Sequence, residues 1–274
     1  MGDDNAMRIM LIGAHPDDCD GFGGGTAIML ADAGHTVDCV SVTDGSAGHY
    51  VMGRAELAAV RLREAKAAGE TAGVGYQVMD IRDGMLEPSL AHREALMAVI
   101  RQLVPDVVIT HRTGDYHPDH RAVAQLVQDC SYMMMVPGIC PDYPPLRKQP
   151  VILLARDRFK KPSPFQADLA VGIDGAMDRK TQMVCCHKSQ YYDWLPWIAG
   201  NSDFMGLSEE EKFATVSERV YMTAEATAEE CRELLVSLYG EETGGKVRCA
   251  EAFEVSEYGA RLEDTFMGLM QSPD

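Results

Sequence analysis

The chain has 274 residues, 46% of them hydrophobic and 24% charged, which is ample apolar material for a core and argues against disorder. At ~150 residues per domain, this length accommodates one large α/β domain or two small ones. Asp plus Glu number 42 against 25 Lys plus Arg, a formal net charge of −17. A surface this acidic repels phosphate backbones and anionic lipid, so neither nucleic acid nor a membrane surface is an expected partner.

No apolar stretch approaches the ~20 residues of a bilayer span. Segment 1–7 is polar and acidic, without the basic start and apolar run of a signal peptide, and reads as a tail ahead of one domain over 8–274. The 8 cysteines show no C-x-x-C spacing and mostly sit in apolar segments, as reduced thiols of a cytoplasmic protein do. Adjacent Cys185 and Cys186 are poorly placed to bridge each other.

In chain order, a buried strand is expected over 8–13 (RIMLIG), then a small-residue helix over 24–34 stopped by glycine. A β-branched strand follows over 36–42, a long helix over 54–73, a strand over 77–81, a helix over 91–103 and a strand over 106–110. Strands alternating with helices at this spacing imply right-handed βαβ units and a parallel sheet. One more helix runs to about 135, and a Pro-rich loop over 137–150 breaks the pattern. Strands over 151–154 and 168–173, a helix over 175–189 and a last strand over 250–255 complete the core. An insertion spans 193–241, with Trp194-Leu195-Pro196-Trp197 and an acidic helix near Ser208. The expected fold is α/β: a Rossmann-like, mostly parallel sheet flanked by helices, with a C-terminal extension.

Ligands of open α/β sheets bind at the carboxyl ends of the strands. The loop after the first strand reads Gly13-Ala14-His15-Pro16-Asp17-Asp18-Cys19-Asp20, followed by a glycine-rich run. The loop after the fourth reads Thr110-His111-Arg112-Thr113-Gly114-Asp115-Tyr116-His117-Pro118-Asp119-His120. Glycines opening a helix after a first strand are half of a dinucleotide fingerprint. Here Asp17, Asp18 and Asp20 precede them and would repel a pyrophosphate, each close pair near a surface by ~4 kcal/mol. Close helix packing explains the glycines better. His15, Asp18 and His120 supply two imidazoles and a carboxylate, a composition found at catalytic zinc with its fourth position left to water. A lone histidine here would more often be a surface or capping residue; two clusters on neighbouring strand ends favour the metal.

Ala14-His15-Pro16-Asp17-Asp18 and His117-Pro118-Asp119-His120 together resemble the A-H-P-D-D and H-P-D-H signatures of the PIG-L (LmbE-like) de-N-acetylase family. The likeness extends over roughly 7–190 and again near the final strand. It implies zinc, or another divalent ion, on His15, Asp18 and His120. It further implies Asp17 as general base, with His117 assisting the tetrahedral intermediate or protonating the leaving amine. Asp119 is placed to orient an imidazole. Weaker matches put Arg61, Asp83, His187 and Gln190 against substrate, each with an ion pair, turn or helix cap as the plainer explanation. Tyr116 and His49 lie on loops that can face the substrate. One departure is Cys19, where the family commonly has Glu.

The resemblance implies a cytoplasmic metal-dependent hydrolase releasing an acetyl group from an N-acetylated amino sugar or its conjugate. Two alternatives remain open at this level: a zinc amidohydrolase on a non-sugar amide, and a non-catalytic sugar- or nucleotide-binding protein. The 137–150 loop and Trp194 to Trp197 are where specificity is expected, their aromatic rings suited to a pyranose or to packing between subunits. Members of the family are often multimeric, so a homo-oligomer is compatible with the chain.

Overall fold

Strand β1 (Arg8–Gly13) alternates Ile9 and Leu11 toward one face with Met10 and Ile12 toward the other, and all four are buried. A strand apolar on both faces must lie inside a sheet covered on both sides. The structure, a computed structural model, describes residues 6–262 and bears this out. Positions 1–5 of the expected tail and 263–274 of the expected domain lie outside the described residues.

The sheet comprises β1, β2 (Thr36–Ser41), β3 (Gly75–Val78), β4 (Val107–Thr110), β5 (Val151–Ala155), β6 (Leu169–Gly172) and β7 (Ala250–Val255). Their order is β3-β2-β1-β4-β5-β7-β6. Pairing is parallel from β3 through β5, whereas β7 runs antiparallel to both neighbours. Helices α1 (Asp18–Asp32), α2 (Arg54–Ala72) and α5 (Met177–Cys185) cover the face of Ile9 and Leu11. On the other face lie α3 (Leu90–Leu103) and α4 (Pro118–Met133). The inserted region folds as α6 (Leu195–Ile198), α7 (Ser202–Met205), α8 (Glu209–Glu230), α9 (Arg232–Tyr239) and α10 (Glu241–Gly244). No helix among the described residues is long and apolar enough to cross a membrane.

The third strand spans Gly75–Val78 instead of the expected 77–81, and two further boundaries differ from expectation for local reasons. Helix α1 begins at Asp18 rather than at 24, so the glycines lie inside it. The Pro16 turn folds back at once, with Asp17 and Asp18 N–H donating to the His15 carbonyl at 2.8 and 3.2 Å. A Cβ on Gly23 would lie 2.8 Å from Leu11 Cδ2, and one on Gly25 would lie 2.7 Å from Ile173 Cδ1, so the helix seats directly on its neighbours. The helix expected over 175–189 stops at Cys185, and a π-helical turn, Ser189–Trp194, follows. Glu64 takes both the N–H and the hydroxyl of Ser189, at 2.8 and 2.6 Å, drawing the chain out of the α ladder.

A polar staple fixes α1. The two carboxylate oxygens of Glu251, on β7, accept the N–H groups of Gly25 and Thr26 at 2.9 and 2.8 Å. Lys180, on α5, donates to Glu251 and, at 3.0 Å, to the Gly21 carbonyl. Both side chains are buried, and removing one partner of a buried pair costs about 3–5 kcal/mol. Glu251→Leu is therefore expected to lower unfolding stability by about that much, and Glu251→Gln, which still accepts an N–H, by distinctly less. Denaturant titration followed by circular dichroism measures both.

Candidate active site

Strands β1 and β4 are neighbours from which the chain departs in opposite directions, toward β2 and β3 on one side and β5 on the other. That switch point leaves a crevice beyond the strand ends. The register Ile12↔Thr110 sets the two motif loops side by side there. Thr110 Oγ1 donates to the Ile12 carbonyl at 2.8 Å, and Thr43 Oγ1 to that of Ala14 at 2.7 Å, pinning the strand ends.

The donors foreseen in the two loops meet. His15 Nδ1 lies 3.3 Å from His120 Nε2 and 3.4 Å from Asp18 Oδ2, while His120 Nε2 lies 3.4 Å from Asp18 Oδ1. Ligands about 2.0–2.1 Å from a tetrahedral ion stand about 3.3 Å from one another, which is the spacing of His15 Nδ1 and His120 Nε2, each of which faces a different oxygen of Asp18. The far ring nitrogens face carboxylates. His15 Nε2 is 3.2 Å from Asp83 Oδ1 and 3.5 Å from Asp119 Oδ2, and His120 Nδ1 is 3.0 Å from Asp115 Oδ1. Backbone N–H groups hold those carboxylates in turn: Ala47 on Asp83 at 2.9 Å, Gly84 on Asp119 at 2.7 Å, His117 on Asp115 at 2.8 Å. Carboxylates behind metal-facing imidazoles fix the ring orientation and raise ligand basicity. Three overlapping sets, His15–His117–His120, Asp18–His111–His120 and His15–Asp83–Asp119, have one ligand atom per residue within 4.8 Å of each other.

Burial opposes charge on His15, yet Asp119, Asp18 and Asp83 carry its pKa well above the ordinary histidine value. Burial likewise opposes His120, and Asp18 and Asp115 push it up to about 9. Against its own burial, His120 and His111 hold Asp18 well below the usual carboxylate range. The cluster therefore demands positive charge, from protons or from a metal ion that displaces them. A histidine raised from ~6.5 contributes stability fully present below that pH and lost as pH climbs through the folded value, on the order of 3 kcal/mol for His120. Metal-stripped protein should accordingly melt at a lower temperature at pH 9.5 than at pH 6.5, and saturating zinc should shrink the difference and release protons near neutrality. Scanning calorimetry and a pH-stat titration measure these outcomes.

The other foreseen residues divide. Asp17 is buried, and its Oδ1 accepts Arg61 Nη2 at 2.6 Å. Arg61, expected to reach a sugar hydroxyl, is only 2% exposed, and its other terminal nitrogen donates to Gln190 Oε1 at 2.6 Å. Gly45, at φ +64°, makes room for it, since a Cβ there would lie 2.8 Å from Arg61 Nε. His117 caps α4, its Nδ1 accepting the Asp119 N–H at 3.2 Å, which leaves the ring proton on Nε2. Burial, with His15 and His120 nearby, lowers its pKa. Together with Asp83, Tyr116, Gln190 and Trp194, these residues and the donor triangle line a cavity of about 500 Å³. A second cavity of about 220 Å³ reaches Asp17, Asp18 and His120 from the side of Phe22, His111 and Asp157.

Two expected substrate residues are not in that lining. His187 is 0% exposed and pairs with Asp20 at 2.5 Å beneath α1, because the π-helical turn carries Gln190 rather than His187 to the opening. His49 Nδ1 accepts the N–H groups of Val51 and Met52, both at 3.1 Å, and its ring stacks on Tyr50 at 4.9 Å. Tyr50 stacks in turn on Trp197 at 5.0 Å, and Trp197 on Trp194 at 5.4 Å. The rings of Tyr50 and Trp197 are thus occupied within a column, of which Trp194 borders the cavity. Cys19 is fully buried, with Sγ turned to the Val40 carbonyl at 3.9 Å and away from the donor triangle. The sequence reading gave no role to His111, Asp115 or Tyr191, which line the second cavity; the proximity of His111 and Asp115 to the H-P-D-H motif was the available signal.

The family model described as PIG-L, GlcNAc-PI de-N-acetylase, matches residues 10–131. A diacetylchitobiose deacetylase of Thermococcus kodakarensis is 28% identical over 224 residues, covering 77% of this chain and 82% of that relative. Among solved structures, the N,N'-diacetylchitobiose deacetylase of Pyrococcus horikoshii superposes with a TM-score of 0.71 at 24% identity, over 93% of this chain and 85% of that one. A 4-carboxy-2-hydroxymuconate hydratase of Pseudomonas putida superposes with a TM-score of 0.72 at 20% identity, over 94% and 98%. Both signature loops lie inside the segment that matches the PIG-L model, and the α/β architecture around them is shared with these solved structures.

Proposed function

We propose that the chain is a zinc-dependent hydrolase that removes the N-acetyl group of an amino sugar or amino-sugar conjugate. The observation that carries this reading is the 3.3 Å approach of His15 Nδ1 to His120 Nε2, each facing one oxygen of Asp18, with Asp17 and His117 on the same cavity wall. Zinc held there would bring the pKa of a water toward ~7 and polarise the amide carbonyl.

The chain's own groups supply the proton traffic. Asp17, oriented through Oδ1 by Arg61, has its second oxygen available to take a proton from the attacking water. His117, neutral and protonated on Nε2, donates a hydrogen bond to the carbonyl oxygen as that atom gains negative charge. The proton collected by Asp17 then passes to the departing nitrogen, so water and amide leave as acid and amine. Substrate hydroxyls meet Gln190, Tyr191 and the exposed Tyr116, which lies edge-on to His117 and His120. The 8 free thiols suit a reducing cytoplasm.

A hydratase also adds activated water to an unsaturated carbon, so the shared fold alone does not separate the two reactions. The family match and the deacetylase of higher identity favour amide hydrolysis. Asp17→Asn is expected to keep the ion and lose deacetylation by about 10²-fold or more, whereas His15→Ala loses the ion itself. Metal content by mass spectrometry, with acetate release from N-acetylglucosamine and diacetylchitobiose, reads both. Full activity of the Asp17 variant would remove its role as base. Acetate release from no N-acetylated substrate, together with hydration of an unsaturated dicarboxylate, would replace the hydrolase reading.

A further inference from the structure

We propose that the smaller cavity takes the acyl half of the substrate and that Gly21 and Phe22 set its length, so that the chain cleaves N-butyryl groups as well as N-acetyl. This inference rests on the hydrolase reading above and deepens it. Asp17, Asp18, His120 and Tyr191 border both cavities, so the donor cluster lies on the seam between about 500 Å³ and about 220 Å³. An amide cleaved at that seam sends its amine half to one side and its acyl half to the other. The larger cavity offers Asp83, Gln190 and Tyr116 to sugar hydroxyls. In the smaller one the charged groups are engaged with each other or with neighbours. Arg112 donates to Asp157 at 3.0 Å, Arg156 to Glu230 at 3.1 Å, and Asp115 faces His120 at 3.0 Å. Partners already satisfied gain little from a polyol, and Phe22, Gly21 and Ala155 complete that lining with carbon. At a share of ~30 Å³ each, about seven waters fill 220 Å³, far more than the methyl of an acetyl group requires.

Helix α1 explains the surplus room. Phe22 follows Asp18 by four residues and so stands on the same face of the helix as that carboxylate. Its ring meets His111 edge-on at 5.2 Å and 76°, which fixes it beside the donor cluster. A glycine inside a helix weakens it, so each one calls for a reason. Gly23 and Gly25 have theirs in Leu11 and Ile173, which a Cβ would strike. Gly21 has no such neighbour: it is exposed, and a Cβ there would meet just the Tyr191 hydroxyl, at 4.0 Å. A side chain at this position would stand in the smaller cavity, and its absence keeps that space open to substrate.

The N-acetyl and N-butyryl forms of glucosamine and of chitobiose, assayed on one preparation of the zinc-loaded full chain, test this through ratios in which folding and metal content cancel. The wild type is expected to cleave the butyryl compound with a kcat/KM within about 10-fold of the acetyl one. Gly21→Leu should lower the butyryl-to-acetyl ratio by about 10-fold or more, and Phe22→Ala should raise it. Calorimetric titration with the free acids gives a readout without turnover. Butyrate should bind the wild type more tightly than acetate and lose that advantage in Gly21→Leu. Acetate release with butyryl cleavage slower than that limit, or a ratio that Gly21→Leu leaves unmoved, would overturn the inference and leave the hydrolase reading intact. Release of no acid from any N-acyl sugar or conjugate would remove both. A misfolded Gly21→Leu leaves the decision to the wild-type ratio and to the acid titration of the wild type, where butyrate no tighter than acetate counts against the inference.

Discussion

An excess of buried negative charge at the mouth of β1 and β4 is the constraint on which the rest of the site depends. Among the described residues, Asp17, Glu251 and Asp157 are each paired with a permanent cation, Arg61, Lys180 and Arg112, while fully buried Asp20 faces His187. Asp18, Asp83, Asp115 and Asp119 instead converge on His15 and His120, groups that are neutral unless something charges them. Leaving such carboxylates unpaired away from water costs several kcal/mol each. A cation held by the inner ring nitrogens, as proposed above, would offset that charge.

The supporting structure follows from that demand. Asp18 is both the first residue of α1 and a member of the donor triangle, so the helix must be held rigidly. Glycines seat α1 on β1, and the Lys180–Glu251 pair ties it to α5 and β7. On the other loop, Asp115 accepts the backbone N–H of His117 and faces the His120 ring, so one carboxylate holds the loop backbone and orients the His120 imidazole. The donor triangle lies between a larger cavity that opens past His117 and a smaller one that opens past His111.

The aromatic column gives the insertion a specific part in this arrangement. His49, Tyr50, Trp197 and Trp194 stack upon one another, joining the loop after β2 to the π-helical turn and α6. The column stiffens one wall of the larger cavity and offers it chiefly Trp194. The polar lining of that cavity includes Gln190, next to Ser189, whose N–H and hydroxyl are both held by Glu64.

The sequence by itself determined the α/β alternation, the two loops that carry the chemistry and the donor types they bring together. Those features are local: apolar runs define strands, and a Pro-kinked His-Asp turn after a strand end allows few geometries. Tertiary structure alone decided which of the remaining polar residues face the cavity. His49 is held by its own neighbours Tyr50, Val51 and Met52, whereas Arg61 pairs with Asp17 at the cavity wall and His187 sinks onto Asp20, each because its partner lies far away along the chain. The same is true of His111 and Asp115, whose importance comes from distances to Asp18 and His120 that no spacing in the sequence encodes.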